Sequence, residues 1–249
     1  MNEELVSIVV PVYNAGTVIE DTIQSVKAQT YENWELILVD DSSEDSSAAV
    51  IGKHVSDKII FIRNTEGKGA ASARNVGVRA ASGRYLCYLD ADDLWDPEKI
   101  EKQIRHITEN DCAFSFTGYE FADEFGVGMS KIVHVPKKIN YRHALKNTTI
   151  FTSTVMFDLK KLTKEDIMMP CVESEDTATW WKILKKEQYA YGLDESLTLY
   201  RRSKGSLSSD KSVAIKRIWN LYRNVEKLSV IESAYCFVFW AFHAVLRRI

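Results

Sequence analysis

Strand-length apolar runs alternate with helically spaced segments through the first 110 residues, and that alternation limits the fold more than any other feature. "VSIVVPVY" is a continuous apolar run of strand length, and "AGTVIEDTIQSVKAQ" then sets Val18, Ile19, Ile23 and Val26 at helical spacing. "WELILVDD" reads as a second strand, "DSSAAVIGKHV" as a helix and "KIIFIRN" as a third strand. "AASARNVGVRAAS" is expected to be a helix stopped by Gly83. "RYLCYLD" is the fourth strand, and "PEKIEKQIRHITEN" a helix with Pro97 at its first position and Asp96 as its N-cap. Strands apolar at every position need cover on both faces. The expected class is therefore α/β, a mostly parallel sheet with helices on both faces. Ligands of such sheets sit beyond the carboxyl ends of the strands. Three polar clusters fall there: Tyr13-Asn14, Asp40-Asp41, and Asp90 through Asp93.

After about residue 112 the pattern loosens. "CAFSFTGYEFAD" and "TSTVMFD" read as strands, separated by a long polar stretch from Glu124 to Asn147 with no clear period. "SEDTATWWKILKKE" is a helix with Ser174 as a cap and acids in its first turn, as the helix dipole favours. "AYGLDESLTLYRR" is extended, "SKGSLSSDK" is a flexible loop by composition, and two helical segments follow.

Charge is unevenly placed. The net charge of −3 argues against nucleic acid as a partner, yet the residues from Leu199 onward hold 10 Lys/Arg against 3 Asp/Glu. That end carries +7 and the preceding 198 residues −10, which suggests a surface partner for the basic end. Cys87, Cys112, Cys171 and Cys236 lie far apart with no CxxC pair, so neither a zinc site nor a disulfide framework is indicated. "MNEELVSIVV" is acidic and runs straight into a strand, so no signal peptide and a reducing cytosol are expected.

The crowded carboxylates of "YLCYLDADDLWDP" call for a chemical reason. A D-x-D at a strand end, Asp90-Ala91-Asp92, aims two carboxylates from a rigid platform into one pocket. Such oxygen-only ligands suit Mg²⁺ or Mn²⁺, with a substrate diphosphate completing the octahedron. The competing reading is a solvated acidic loop that caps the next helix, and Asp93 reads as a cap or a support for its neighbours.

The stretches "SIVVPVYNAGTVIEDTIQSVKAQTYENWELILVDDSSEDSS" and "GKGAASARNVGVRAASGRYLCYLDADD" resemble the family-2 glycosyltransferases, an inverting group with the GT-A fold. The resemblance covers residues 5 to about 110 and continues more weakly through "SEDTATWW" and "YRRSKGSLSS". It implies a GT-A domain over 1–210 and a basic, apolar helical extension over 211–249. Within the domain, 1–110 would bind the nucleotide sugar and 111–210 the acceptor. It implies a nucleotide-sugar donor, UDP by family frequency, carrying a hexose or N-acetylhexosamine, together with Mn²⁺ or Mg²⁺.

Site roles follow by matching positions. Tyr13, beside Pro11, would lie against the nucleobase and Asp41 would accept from the base N–H, while Asp40 fixes the turn. Asp90, next to Ala91, would hold the ribose or a metal-bound water, and Asp92 would ligate the metal. Arg74 would lie near the phosphates or brace the carboxylates. Lys68 would reach a phosphate or stay solvated. Arg201 or Arg202 would meet the departing diphosphate, and "YRRSKGSLSSDK" looks like the family's mobile loop. The general base is assigned to Asp176 with Glu175 in reserve. Trp180 or Trp181 would form a platform for the acceptor sugar unless both pack in the core. The Q-x-x-R-W of processive synthases is absent, so single addition is expected. Arg202 and Ser203 stand where many relatives carry a histidine, which puts a third protein ligand to the metal in doubt.

Other enzyme classes fit less well. A dehalogenase-type phosphatase puts its D-x-D after the first strand, and a nucleotidyltransferase expects a Gly-rich loop where this chain has "PVYNAGT". A non-catalytic nucleotide-sugar-binding or scaffolding subunit survives as the alternative. The last segment, "SAYCFVFWAFHAVLRRI", has no formal charge before Arg247 and is short of the ~20 residues a membrane span needs. It is expected either to pack on the domain or in a homodimer interface, or to lie with its basic neighbours on the anionic inner face of the cell membrane. There the acceptor would be a glycan or a lipid-diphosphate-linked sugar of surface-polysaccharide assembly.

Overall fold

The computed structural model describes residues 4–202 and 211–246. The alternating unit consists of β1 (Val6–Val12), α1 (Ile19–Lys27), β2 (Trp34–Asp40), α2 (Ser47–Gly52), β3 (Ile59–Arg63), α3 (Ala70–Ala80) and β4 (Tyr85–Tyr88). A two-residue strand β5 (Leu94–Trp95) and α4 (Lys99–Asn110) follow. Next come β6 (Phe114–Ala122), β7 (Gly128–Val133), β8 (Lys138–Ile139), α5 (Tyr141–Ala144), β9 (Met156–Asp158) and α6 (Lys164–Ile167). The remaining elements are α7 (Glu175–Lys186), β10 (Ala190–Arg201), α8 (Lys211–Asn220), a π-helical turn at Leu221–Val225 and α9 (Val230–Leu246).

All strands share one sheet, ordered β3-β2-β1-β4-β9-β6-β10-β5, with β7 on β6 and β8 on β10. β3, β2, β1 and β4 run parallel. β9 reverses the direction between β4 and β6, and β6 is again parallel to β10. β1 shows why its run is apolar but for Ser7, whose buried hydroxyl donates to Glu35 at 2.6 Å. Val6, Ile8, Val10 and Val12 share a core with Ile19 and Ile23 of α1 and Ile100 of α4, while Val9 packs with Ala73 and Val76 of α3 on the opposite face. Side chains alternate along a strand, so a strand covered on both faces must be apolar at both parities.

The polar stretch from Glu124 to Asn147 becomes the β6–β7 hairpin, the short β8 and α5. The C-terminal helices join the larger core through Ile218, Leu221, Tyr222 and Cys236. The indole of Trp181 stacks on Tyr222 with ring centroids 5.5 Å apart and planes 5° from parallel.

Three local expectations are corrected. Gly83 does not stop α3, which ends at Ala80 with Ala81 in an extended conformation. A Cβ on Gly83 would come within 2.6 Å of the Leu5 carbonyl oxygen, so this glycine lets the chain pass close against β1. Pro97 is not the first helical residue, because α4 begins at Lys99. Asp96 instead accepts the Glu98 N–H at 2.9 Å and Glu98 occupies the cap position. Ser174 precedes α7 in a left-handed conformation, and its side chain makes no cap hydrogen bond.

Candidate active site

Beyond the carboxyl ends of β1, β2 and β4 lies a cavity of about 800 Å³, within the roughly 300–1,000 Å³ usual for ligand pockets. Pro11, Tyr13, Asp41, Lys68, Arg74, Asp90, Ala91, Asp92 and Arg201 all line it. Arg202 does not, and its guanidinium lies 5.4 Å over the Phe121 ring. Glu175 and Asp176 are not part of the cavity wall.

The acidic loop is clamped from three elements. Thr22 of α1 donates its hydroxyl to the Ala91 carbonyl at 2.9 Å and the Asp93 carbonyl at 3.0 Å. Ser153 accepts the Asp90 N–H at 3.0 Å and donates to the Asp93 carboxylate at 2.5 Å. The backbone N–H of Arg201 on β10 reaches the other Asp93 oxygen at 3.2 Å. Asp93 is therefore wholly buried and supports the platform, leaving Asp90 and Asp92 at the cavity. Burial, then the charges of Asp92 and Asp90, hold the Asp93 carboxyl well above its usual range. Burial and then Asp90 push Asp92 up to about 6.

The A-R-N-x-G stretch opening α3 does three jobs. Arg74 is buried and bridges two carboxylates, Asp90 at 2.6 Å and Glu175 at 2.9 Å, so it braces the acids while still lining the cavity. Asn75 exchanges hydrogen bonds with the Met169 backbone, both at 2.8 Å, and so anchors the segment that leads into α7. At Gly77 an added Cβ would lie 2.3 Å from Val9, which explains the close seating of α3 on β1. Through Arg74 the first turn of α7 is tied to the acidic platform. Burial raises the Glu175 carboxyl, with Arg74 opposing. Asp176 accepts from Thr152 at 3.2 Å and from the Thr177 N–H at 2.6 Å.

Tyr13 is 64% exposed at the cavity rim, so its ring belongs to no core. Asp41 is held by Asn64 at 2.8 Å and by the Gly69 N–H at 2.6 Å, and each oxygen keeps a second lone pair. Asp40 accepts the Ser43 N–H at 3.2 Å and so ties the turn after β2. Lys68 stands exposed between Gly67 and Gly69, both at positive φ. Arg201 is buried and pairs with Asp21 of α1 at 3.0 Å. Nε of Arg74 and Nε of Arg201 are both buried without a hydrogen-bond partner among the described residues. Trp180 and Trp181 are in the core, Trp180 against Tyr88, Phe114 and Phe157, so neither offers an acceptor platform. Most of "YRRSKGSLSSDK" lies outside the described residues.

Among the described residues no three His, Cys, Asp or Glu side chains converge on one point. A divalent cation would thus take Asp90 and Asp92 from the protein. Two hard carboxylates facing a wide cavity, one with its charge disfavoured by burial, fit Mg²⁺ or Mn²⁺ completed by substrate phosphate and water. The sequence reading missed Asp21, Asn64, Thr152 and Ser153. Each acts through a partner more than 20 positions away, and none sits in a motif.

A sheet of this topology with a carboxylate-floored cavity at its strand ends defines a GT-A glycosyltransferase. The chain belongs to glycosyl transferase family 2, whose model matches residues 7–165. It is 41% identical to the putative teichuronic acid biosynthesis glycosyltransferase TuaG of Bacillus subtilis, over 98% of each chain. It is also 37% identical to the UDP-Glc:alpha-D-GlcNAc-diphosphoundecaprenol beta-1,3-glucosyltransferase WfgD of Escherichia coli, covering 89% of this chain and 86% of that one. Similar solved structures include S. aureus TarS 1–349 in complex with UDP-GlcNAc, with a TM-score of 0.70 at 19% identity over 97% of this chain and 72% of the other. The mannosyltransferase PcManGT from Pyrobaculum calidifontis, in complex with GDP-Man and Mn²⁺, superposes with a TM-score of 0.72 at 17% identity over 97% and 70%.

Proposed function

We propose that this glycosyltransferase moves one hexose or N-acetylhexosamine, with inversion, from a UDP-sugar to a hydroxyl of a glycan or lipid-diphosphate-linked sugar in surface-polysaccharide assembly. The observation that carries the reading is the Arg74 bridge, which links the Asp90 platform to the first turn of α7, the turn that also holds Asp176. Tyr13 and Asp41 would take the base, and Arg201 and Lys68 the diphosphate. Asp90 and Asp92 would hold Mn²⁺ or Mg²⁺, which when bound offsets negative charge on the leaving diphosphate. Asp176 accepts the proton of the acceptor hydroxyl as its oxygen bonds the anomeric carbon. The bond to the diphosphate breaks from the opposite side, and the electron pair stays on the diphosphate. Positioning and electrostatics carry such a step without a covalent intermediate. The relative WfgD is named for a beta-linked product and a diphosphoundecaprenol acceptor, which supports both the stereochemistry and the acceptor class.

The acceptor class also accounts for α9. Ile231, Tyr235, Val238, Phe242 and Val245 are all more than half exposed and recur at i, i+4, i+7, i+11 and i+14. Among the described residues no helix is long and apolar enough to cross a membrane. An exposed apolar stripe beside a basic segment fits a helix lying on an anionic bilayer, at the cytoplasmic face of the cell membrane. A second copy of the chain is the competing occupant.

The test screens UDP-sugars with Mn²⁺ and Mg²⁺ against a synthetic sugar-diphosphate-lipid and reads the product anomer by NMR. One donor should yield a product of inverted configuration. Asp176→Asn should lower turnover about 10²–10⁴-fold with little change in donor affinity. Donor binding without turnover of any nucleotide sugar would favour the non-catalytic subunit, and a retained anomeric configuration would overturn the mechanism.

A further inference from the structure

A second cavity, of about 190 Å³, lies where the first turn of α7 meets α8 and α9. Thr148, Ser174, Thr177, Arg217 and Trp240 supply its polar wall, and among the described residues no carboxylate lines it. At about 30 Å³ per water it has room for a headgroup-sized anion. Arg217 Nε is buried and has no hydrogen-bond partner among the described residues. It forms a long ion pair with Glu173, 3.8 Å away and 61% exposed. Thr148 accepts from the Trp240 indole at 3.2 Å and keeps its own hydroxyl proton to donate. Ser174 is likewise unused as a cap. The wall is thus a set of donors around one guanidinium, at the positive end of a 12-residue helix.

Its position ties it to the reaction. Ser174 and Thr177 line this cavity, while Glu175, between them in sequence, pairs with Arg74, which lines the donor cavity. Asp176 lies on the same first turn of α7, between the residue tied to Arg74 and the residues that line this cavity. On the other side α9 contributes Trp240 to the wall and carries the apolar stripe on its surface.

We propose that this cavity holds the diphosphate of the lipid-linked acceptor, with Arg217 as its main ligand and the hydroxyls of Thr148, Ser174 and Thr177 as supporting donors. The acceptor sugar then lies at Asp176 and its lipid near α9. This rests on the acceptor class proposed above. Arg217 is a specificity residue in this scheme and takes no part in donor chemistry.

The experiment uses the full chain and two acceptors with the same sugar, one on a lipid diphosphate and one on an uncharged alkyl chain. Arg217→Ala should raise KM for the diphosphate acceptor at least tenfold. It should leave donor hydrolysis and the KM for the alkyl glycoside within twofold of the parent. Arg217→Lys should fall between parent and Ala, and Glu173→Gln should lower KM for the diphosphate acceptor or leave it unchanged. Equal losses with both acceptors, or no loss with either, would overturn the assignment. Binding of farnesyl diphosphate, measured by calorimetry, separates this idea from the acceptor class. Binding that Arg217→Ala abolishes, in a protein that turns over no diphosphate acceptor, would keep the anion site and reject the acceptor class. Parent protein that binds no farnesyl diphosphate would reject the site.

Discussion

Three aspartates in four positions are tolerable because only two of them face the cavity. Asp93 is turned inward and held by Ser153 and the Arg201 N–H, which frees Asp90 and Asp92 to share one pocket. The arrangement favours ligand binding at a cost to the metal-free fold. Asp92 is raised to about 6, first by burial and then by Asp90, from an ordinary value of 3.8. A carboxyl raised on folding contributes stability below its unfolded pKa that is lost as pH climbs through the folded one. Metal-free protein should therefore lose stability between about pH 4 and pH 6, on the order of 3 kcal/mol from this group. Asp92→Asn escapes that loss. In EDTA its melting temperature should exceed the parent's at pH 7.5 and match it near pH 4, while transfer with Mn²⁺ present is abolished. Calorimetry at the two pH values checks this, and a variant no more stable than its parent at pH 7.5 would refute it.

At the scale of elements, the α3 motif shows how one short helix serves packing and chemistry together. Arg74 reaches the site, Asn75 brackets the chain before α7, and Gly77 lets the helix sit against Val9. Ala favours a helix over Gly by about 1 kcal/mol, but here its methyl would meet Val9 at 2.3 Å in a close-packed core. Overpacking of this kind costs about 1–3 kcal/mol, so Gly77→Ala should be net destabilising by up to about 2 kcal/mol. Val9→Ala in the same chain should restore part of that loss, and urea denaturation of the single and double variants measures both. Activity is expected to fall with the single variant, because a shifted α3 moves Arg74 off Asp90.

At the scale of the whole molecule, the C-terminal helices share the core of the sheet while presenting an apolar stripe outward. Cys236 and Trp240 face the domain, whereas Ile231, Val238 and Phe242 face solvent. Removing α9 would therefore disturb the fold as well as any docking. Charging the stripe does not. The triple variant Ile231→Glu, Val238→Glu, Phe242→Glu should keep the parent's far-UV spectrum and donor hydrolysis, yet stop sedimenting with vesicles of anionic lipid. Parent protein that fails to sediment with such vesicles but runs as a dimer would assign the stripe to a second copy instead.

The sequence by itself determined the α/β class, the parallel sense of the first strands and the position of the acidic cluster. Those depend on local periodicity, since a strand buried on both faces is apolar at nearly every position, save a paired exception such as Ser7 with Glu35, and a polar break marks where it leaves the sheet. The long strand β10 was also legible, as the extended "AYGLDESLTLYRR", one residue longer than the strand observed. What only tertiary structure decided were the partnerships across the chain. Arg201 meets Asp21, Ser153 meets Asp93, and Arg74, which pairs with Asp90, also reaches Glu175, 101 positions along the chain from itself. Lys99, in a stretch that reads as polar helix surface, is wholly buried 4.0 Å over the Trp95 ring, and burial pushes it down to about 8. Whether a polar side chain points to water or to a partner depends on what the fold brings opposite it, and local periodicity carries no record of that.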